Sequence, residues 1–399
     1  MRGIATVNPN IPPTPGERVA RIRKLRGLTQ KDVARLGGLS LRTVKSVEQD
    51  DGNFRLETLA AVARVLAVNT SEFLQAGEPE PGQVPAEPWD DVIGALYQHA
   101  PAEEAAEPAS EDGILAVLDG LRPALAANRY ADARAVLPGL IRDSAGLGRD
   151  GRTARSRVLN TTAWLLTMTR QWEDSVTAAR LALDAAPDIV DSLAAVNTLC
   201  WSLLRQGRLA EAAQLAVKWG DDAEPRMSKA PTAHIAAWGK VMLYVDNSLL
   251  RDNRPGDAED ALSLAKGAAA VVGKEVQVDA STTRTFGPSS VLMIAAENAS
   301  LTGQPDRVLS LAGRVPRQGL LHAGSASRLR HRLDVANAHA MRREYADVVG
   351  VMGELRDAAP EWLAHQQYGR HILEDILHRR RGPLTEELRD LAAAVSLPV

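Results

Sequence analysis

A 37-residue echo in the middle of the chain limits its fold more than any other feature. Residues 158–183 read VLNTTAWLLTMTRQWEDSVTAARLAL, and residues 195–216 read AVNTLCWSLLRQGRLAEAAQLA. Asn160 and Asn197 are 37 positions apart, as are Trp164 and Trp201, and Trp172 and Leu209. A period in the mid-thirties holds two helices and their turns. One such hairpin cannot bury its apolar face alone, so copies must stack. RPGDAEDALSLA (254–265), GQPDRVLSLA (303–312) and RREYADVVGVM (342–352) read as second-helix starts of later copies. The spacing predicts roughly six or seven hairpins. Apolar residues make up 45% of the chain but aromatics only 4%, a mixture that favours helix over strand.

Charge divides what precedes the array. Residues 1–76 hold 12 basic against 7 acidic residues, while 77–112 hold 10 acids and no base, within a net charge of −3. Residues 1–13 are polar and proline-rich and are expected to be unstructured. Residues 14–76 read as a compact helical domain. Residues 77–111 read as an acidic, proline-rich linker, interrupted by a short helix around Trp89–Tyr97 that can dock on either neighbour. Residues 112–399 are the helical array. A basic head on an acidic chain suits a small domain that meets nucleic acid.

The head carries GLTQKDVARLGGLSLRTVKSVEQDDGNFRLETLAAVARVLAVNTSEFL. Thr29 caps a helix with Gln30 and Asp32 in its first turn. Val33, Ala34 and Leu36 face inward, and Ala34 is small where two helices cross. Gly37 and Gly38 end the helix, since glycine tolerates the left-handed turn. Leu39 plugs the turn, and Ser40 caps the next helix with Thr43 in its first turn. Val44 and Val47 face the core, leaving Leu41, Arg42, Lys45, Ser46 and Gln49 outward. Leu56, Leu59, Val62 and Leu66 form the inner face of a fourth helix, and Asn69 or Thr70 caps a fifth.

Caps, glycine turn and core spacing over residues 16–75 resemble the Xre/lambda-repressor-like helix-turn-helix family. The resemblance implies that Ser40–Gln49 enters the DNA major groove. Leu41, Arg42, Lys45 and Ser46 are then base readers, with Arg42 suited to guanine O6 and N7. Leu41 departs from the polar residue often found there. Ser40 and Thr43 lie at the same helix start. Gln30, Asn53 and Arg55 fall at family phosphate positions. Arg23 and Glu48 match an ion pair with a structural role. Outside such a motif Arg42 and Lys45 would read only as solvated helix charges.

The array resembles tetratricopeptide repeats, convincingly at 158–220 and more loosely elsewhere. The implied fold is all-α: a five-helix lambda-repressor-like domain followed by a tetratricopeptide-repeat superhelix. Its groove would be lined by first helices, and the two clear units place Arg157, Asn160, Trp164, Asn197, Trp201 and Arg205 there. Tyr244, Asn247, Glu297, Arg330 and Asn337 are later candidates. Asparagine is a poor helix former, so two at equivalent positions suggest amides that bond an extended ligand. Packing between repeats explains both tryptophans equally well, and repeat inheritance explains both asparagines.

The combination is similar to the peptide-sensing, quorum-sensing regulators of Gram-positive bacteria. The Ala-, Arg- and Gly-rich composition and TFGPSSV (285–291) look more like actinobacterial Xre-type regulators. A homodimer on a double-stranded DNA operator is expected, with a peptide or small-molecule effector. The alternatives are a ligand-independent phage-type or antitoxin-like repressor, or a protein–protein scaffold.

Enzymatic motifs are missing: there is no P-loop, GxSxG or HExxH. No cofactor or metal is expected. Of His322, His331 and His339, the last two read as solvent-facing or turn contacts, with no Cys or paired carboxylate at ligand spacing. Cys200 alone excludes a disulfide framework and reads as a core residue. No signal peptide and no apolar run of about 18 residues is seen, so a cytoplasmic protein without membrane contact is expected.

Overall fold

The computed structural model describes residues 14–49, 56–74, 89–97, 109–316, 325–379 and 384–397. The expectations for 1–13, for the proline-rich parts of the linker and for Asn53, Arg55 and His322 lie outside them. The described chain is all-α apart from one two-residue hairpin.

The head begins with α1 (Pro15–Leu25), α2 (Gln30–Leu36), α3 (Leu41–Glu48) and α4 (Leu56–Leu66). Its fifth element is a single 3-10 turn, Thr70–Glu72, with Asn69 at its N-cap. Val19, Val33, Val44, Val47, Leu59, Val62, Leu66 and Phe73 form the core. Arg18 is buried beneath it, and its Nε donates to the Phe73 carbonyl at 2.6 Å.

The stretch around Trp89 forms α5 (Asp90–Tyr97). It docks on the array: Trp89 and Val92 join the array's core, and the Tyr97 hydroxyl donates to Asp174 at 2.9 Å. Next come α6 (Glu111–Gly120), α7 (Arg122–Ala126) and α8 (Tyr130–Gly146).

The echo then becomes two antiparallel pairs, α9 (Arg152–Met168) with α10 (Trp172–Ala185) and α11 (Ile189–Arg205) with α12 (Leu209–Asp222). Four more pairs follow among the described residues. They are α13 (Thr232–Arg251) with α14 (Pro255–Val272), α15 (Pro288–Leu301) with α16 (Pro305–Ala312), and α17 (Ala326–Arg342) with α18 (Tyr345–Ala358). After the short α19 (Pro360–Ala364), α20 (Gln367–Arg379) packs with α21 (Glu386–Ala394). Proline at the first turn of α14 and α16 starts those second helices as the sequence predicts. Each first helix packs on the next, so α9, α11, α13, α15, α17 and α20 form the inner layer. Ala178, Ala179, Ala182, Ala212 and Ala216 let second helices approach closely.

Periodicity does not announce the insert between α14 and α15. Residues 276–277 (β1) pair antiparallel with 285–286 (β2). Asp279 shapes the turn between them, accepting from the Ser281 and Thr282 amides at 2.9 and 2.6 Å. Phe286 lies against Gly239 of α13, where a methyl group would overlap the ring. Among the described residues no helix is long and apolar enough to cross a membrane.

Candidate functional site

Two regions carry chemistry, an exposed helix face on the head and a cavity inside the array. On the head, the Thr29 hydroxyl accepts from the Asp32 amide at 3.2 Å, and Asp32 accepts from the Thr29 amide at 2.9 Å. Gly38 takes the left-handed conformation at φ +64°, and the Leu39 amide returns to the Ala34 carbonyl at 2.9 Å. The Ser40 hydroxyl accepts from the Thr43 amide at 2.9 Å and meets the Thr43 hydroxyl at 2.7 Å. These caps fix the angle between α2 and α3. Val44 and Val47 anchor α3 from behind, while Ser40, Arg42, Lys45 and Gln49 stand exposed and Thr43 and Ser46 half-buried.

Three residues behave differently from the sequence expectation. Leu36, expected to face inward at the end of α2, is 55% exposed. Leu41 is half-buried, with part of its side chain packed against the head's core. The Gln30 amide donates to Glu48 Oε2 at 2.8 Å, which ties it into the interior network. Arg23 donates to the same carboxylate through Nε at 2.5 Å and Nη2 at 2.9 Å. Burial pushes the Glu48 carboxyl up, but Arg23 and Gln30 outweigh it and hold the group below its ordinary value. The expected Arg23–Glu48 pair is therefore present and clamps α1 to α3.

The cavity, about 250 Å³, lies on the inner layer. Its walls are Trp164 of α9, Trp201 and Arg205 of α11, Lys240, Tyr244, Asn247 and Arg251 of α13, and Glu297 of α15. Arg330, His331 and Asp334 of α17 and Tyr368 of α20 continue them. Two further walls come from outside the inner layer: Thr283 and Arg284 of the insert, and Leu56 and Glu57 of α4 in the head. A second cavity of about 220 Å³ continues along the seam between α4 and the end of α13. Across that seam the Ser71 amide donates to Asp252 at 2.8 Å, and Asn253 donates to the Val68 carbonyl at 3.2 Å.

Seven of the eleven groove candidates line this cavity: Trp164, Trp201, Arg205, Tyr244, Asn247, Glu297 and Arg330. Arg157, Asn160, Asn197 and Asn337 are placed elsewhere. Arg157 pairs with Asp191 at 3.1 Å. Asn160 donates to Ser281 at 2.6 Å and accepts from Thr198 at 2.5 Å. Thr161 beside it donates to the Ser281 carbonyl at 2.6 Å. The Asn160 amide thus meets the chain's own insert. Asn197 donates to the Ala237 carbonyl at 3.3 Å, and Asn337 to Ser300 at 3.1 Å. Asn247 is held by the Leu243 carbonyl at 3.2 Å and by Arg251.

The cavity's acids are paired with its bases on one side. Glu297 receives Arg251 at 2.5 Å and Arg330 at 3.3 Å. The Arg330 guanidinium also lies 4.3 Å over the Tyr368 ring. Burial raises the Asp334 carboxyl to about 7 despite Arg330. His331 is buried rather than solvent-facing; burial and the nearby Arg328 and Arg332 lower its ring to about 4. His339 makes a turn contact, its Nδ1 being 2.7 Å from Glu344. Contrary to the sequence expectation, Glu344 and Asp347 do gather with His339. Arg342 also binds Glu344, at 2.8 Å, and supplies the counter-charge. Cys200 is buried in the core, and burial raises its thiol.

Sequence reasoning missed Lys240, Arg284 and Glu57. Lys240 sits four residues before Tyr244 on the same helix face, a spacing that was available. Nothing in the sequence placed the insert or α4 at the cavity.

Residues 19–73 match the helix-turn-helix family model. Over 66 residues the chain is 36% identical to the HTH-type transcriptional regulator PuuR of Escherichia coli (strain K12), and equally to PuuR of Shigella flexneri. The match spans 16% of this chain and 35% of each relative's length. The crystal structure of Bacillus thuringiensis PlcR in complex with the peptide PapR7 and DNA overlays 85% of this chain and 99% of that one. The identity there is 11% and the TM-score 0.32. Residues 19–73 therefore form a helix-turn-helix domain.

Proposed function

We propose that the chain is a sequence-specific DNA-binding transcriptional regulator whose helical array senses a small ligand. The observation that carries the first half is α3: a capped helix with Val44 and Val47 buried behind it and Arg42 and Lys45 exposed in front. Arg42 is the base reader and Lys45 a base or phosphate contact. Ser40, Thr43 and Ser46 flank them on the same helix. One domain of this size binds DNA weakly, so the regulator acts as a homodimer on paired half-sites.

The second half rests on Leu56 and Glu57. They belong to the DNA-reading head and yet wall the array's cavity. A ligand there touches both units, and an effector shifts DNA affinity only through differential contact with two arrangements. The array is read as a tetratricopeptide-like superhelix. The insert already occupies the Asn160 end of its groove, which favours a small molecule over an extended peptide.

A gel shift with genomic fragments tests the proposal. Discrete fragments should be retained at physiological salt and lost with Arg42→Ala. Retention indifferent to sequence, or none at all, would refute a sequence-specific regulator.

A further inference from the structure

One wall of the cavity carries positive charge that the protein leaves unanswered. Lys240 is only 8% exposed, and among the described residues its ammonium has no hydrogen-bond or ion-pair partner. Its ammonium lies 6.0 Å from the centre of the Tyr244 ring. Arg284 is 7% exposed. Its Nη1 donates to Thr198 at 2.6 Å and the Tyr244 hydroxyl lies within its reach, but its buried Nη2 has no hydrogen-bond partner among the described residues. The guanidinium lies 5.2 Å from the centre of the Trp201 ring.

Burying a cation without a hydrogen-bonded counter-charge is costly, and native proteins rarely leave one so. The surrounding carboxylates are committed. Glu297 is held by Arg251 and Arg330, Glu275 by the Ser289 and Ser290 amides at 3.1 and 3.3 Å, and Asp279 by its own turn. Burial, with Arg284 beside it, brings the Lys240 ammonium down to about 8. An ammonium on the cavity wall, a buried guanidinium with an unfilled donor and two aromatic walls therefore coincide on one side of the inner layer.

We infer that this cavity binds an organic anion, its carboxylate or phosphate between Lys240 and Arg284 and its flat apolar body against Trp201 and Tyr244. The inference rests on the reading of the cavity as an effector site and names the effector's chemistry. A charge-assisted hydrogen bond from each cation would fill the Arg284 Nη2 and give the Lys240 ammonium an anionic partner. A cavity of about 250 Å³ suits a compact ring system better than a peptide.

The test is isothermal titration of the full chain with 2-naphthoate, its neutral carboxamide and 2-naphthyl phosphate. At least one of the two anions should bind with a Kd below about 1 mM. The carboxamide should bind at least about tenfold more weakly, the loss expected when a charged hydrogen-bond partner goes. Lys240→Met should weaken the anion by about tenfold or more and leave the carboxamide unchanged, while Lys240→Arg retains the anion. The stronger of the two anions distinguishes carboxylate from phosphate. Absence of binding by both anions, equal binding of acid and amide, or an indifferent Lys240→Met would overturn the inference. Should Lys240→Met not fold, the acid–amide comparison on the wild-type chain decides. Tight anion binding with unchanged DNA affinity would uphold this site and instead remove the regulatory reading.

Discussion

Arg42 and Lys45 share one face of α3 but are expected to fail differently. A phosphate contact weakens binding to all sequences alike, so Lys45→Ala should reduce the slope of log affinity against log salt by about one. An unchanged slope would assign Lys45 to a base edge or to solvent. Asp246, buried on α13, makes a different prediction. Burial raises its carboxyl to about 7, against two hydrogen bonds from the Asn298 amide at 2.8 and 3.0 Å. A folded-state value above the unfolded one means that this group costs stability as pH climbs from the ordinary carboxyl value through about 7. Asp246→Asn should therefore gain on wild type by on the order of 2–3 kcal/mol between about pH 5 and about pH 7.5. The Asn298 Oδ1, buried without a partner among the described residues, can then accept from the new amide. Denaturant melts at both pH values check this, and parallel profiles would contradict it. The sequence showed which residues of α3 face outward because that follows from helical period. It did not show that Leu41 packs partly against the core or that Gln30 reaches Glu48, since both depend on partners far along the chain.

The hairpins were legible as elements because a two-helix repeat leaves its period in the sequence. The insert was not: residues 273–287 carry no period, and their place is set by contacts with α9, α11 and α13. Gly239 is the element's keyhole. Gly239→Ala would force Phe286 off α13, and the expected loss is about 1–3 kcal/mol. The hairpin amides of 276–286 should then exchange faster than those of α9, as hydrogen-exchange mass spectrometry would show. Uniform exchange across both would mean that the insert is not separately anchored. Asn160→Ala belongs with it. Its effect should be on this anchoring, because its amide meets Ser281 and Thr198.

At the scale of the whole molecule, the head rests on the array through Ser71 with Asp252 and Val68 with Asn253, beside the cavity walled by Glu57. Asp252→Ala should release this seam and speed amide exchange at residues 68–74 without lowering the array's melting temperature by more than a few degrees. Concerted loss of both would instead make head and array one cooperative unit. Such a seam lies between units that the sequence shows as separate, which is why only its two sides were readable. The central claim, that the exposed face of α3 reads DNA, is tested most directly by fluorescence anisotropy. The duplex should be one retained from genomic fragments by the wild-type chain. Arg42→Ala should lose about 1–3 kcal/mol on that duplex and little on a scrambled one. Equal affinity of wild type and variant for both duplexes would contradict it.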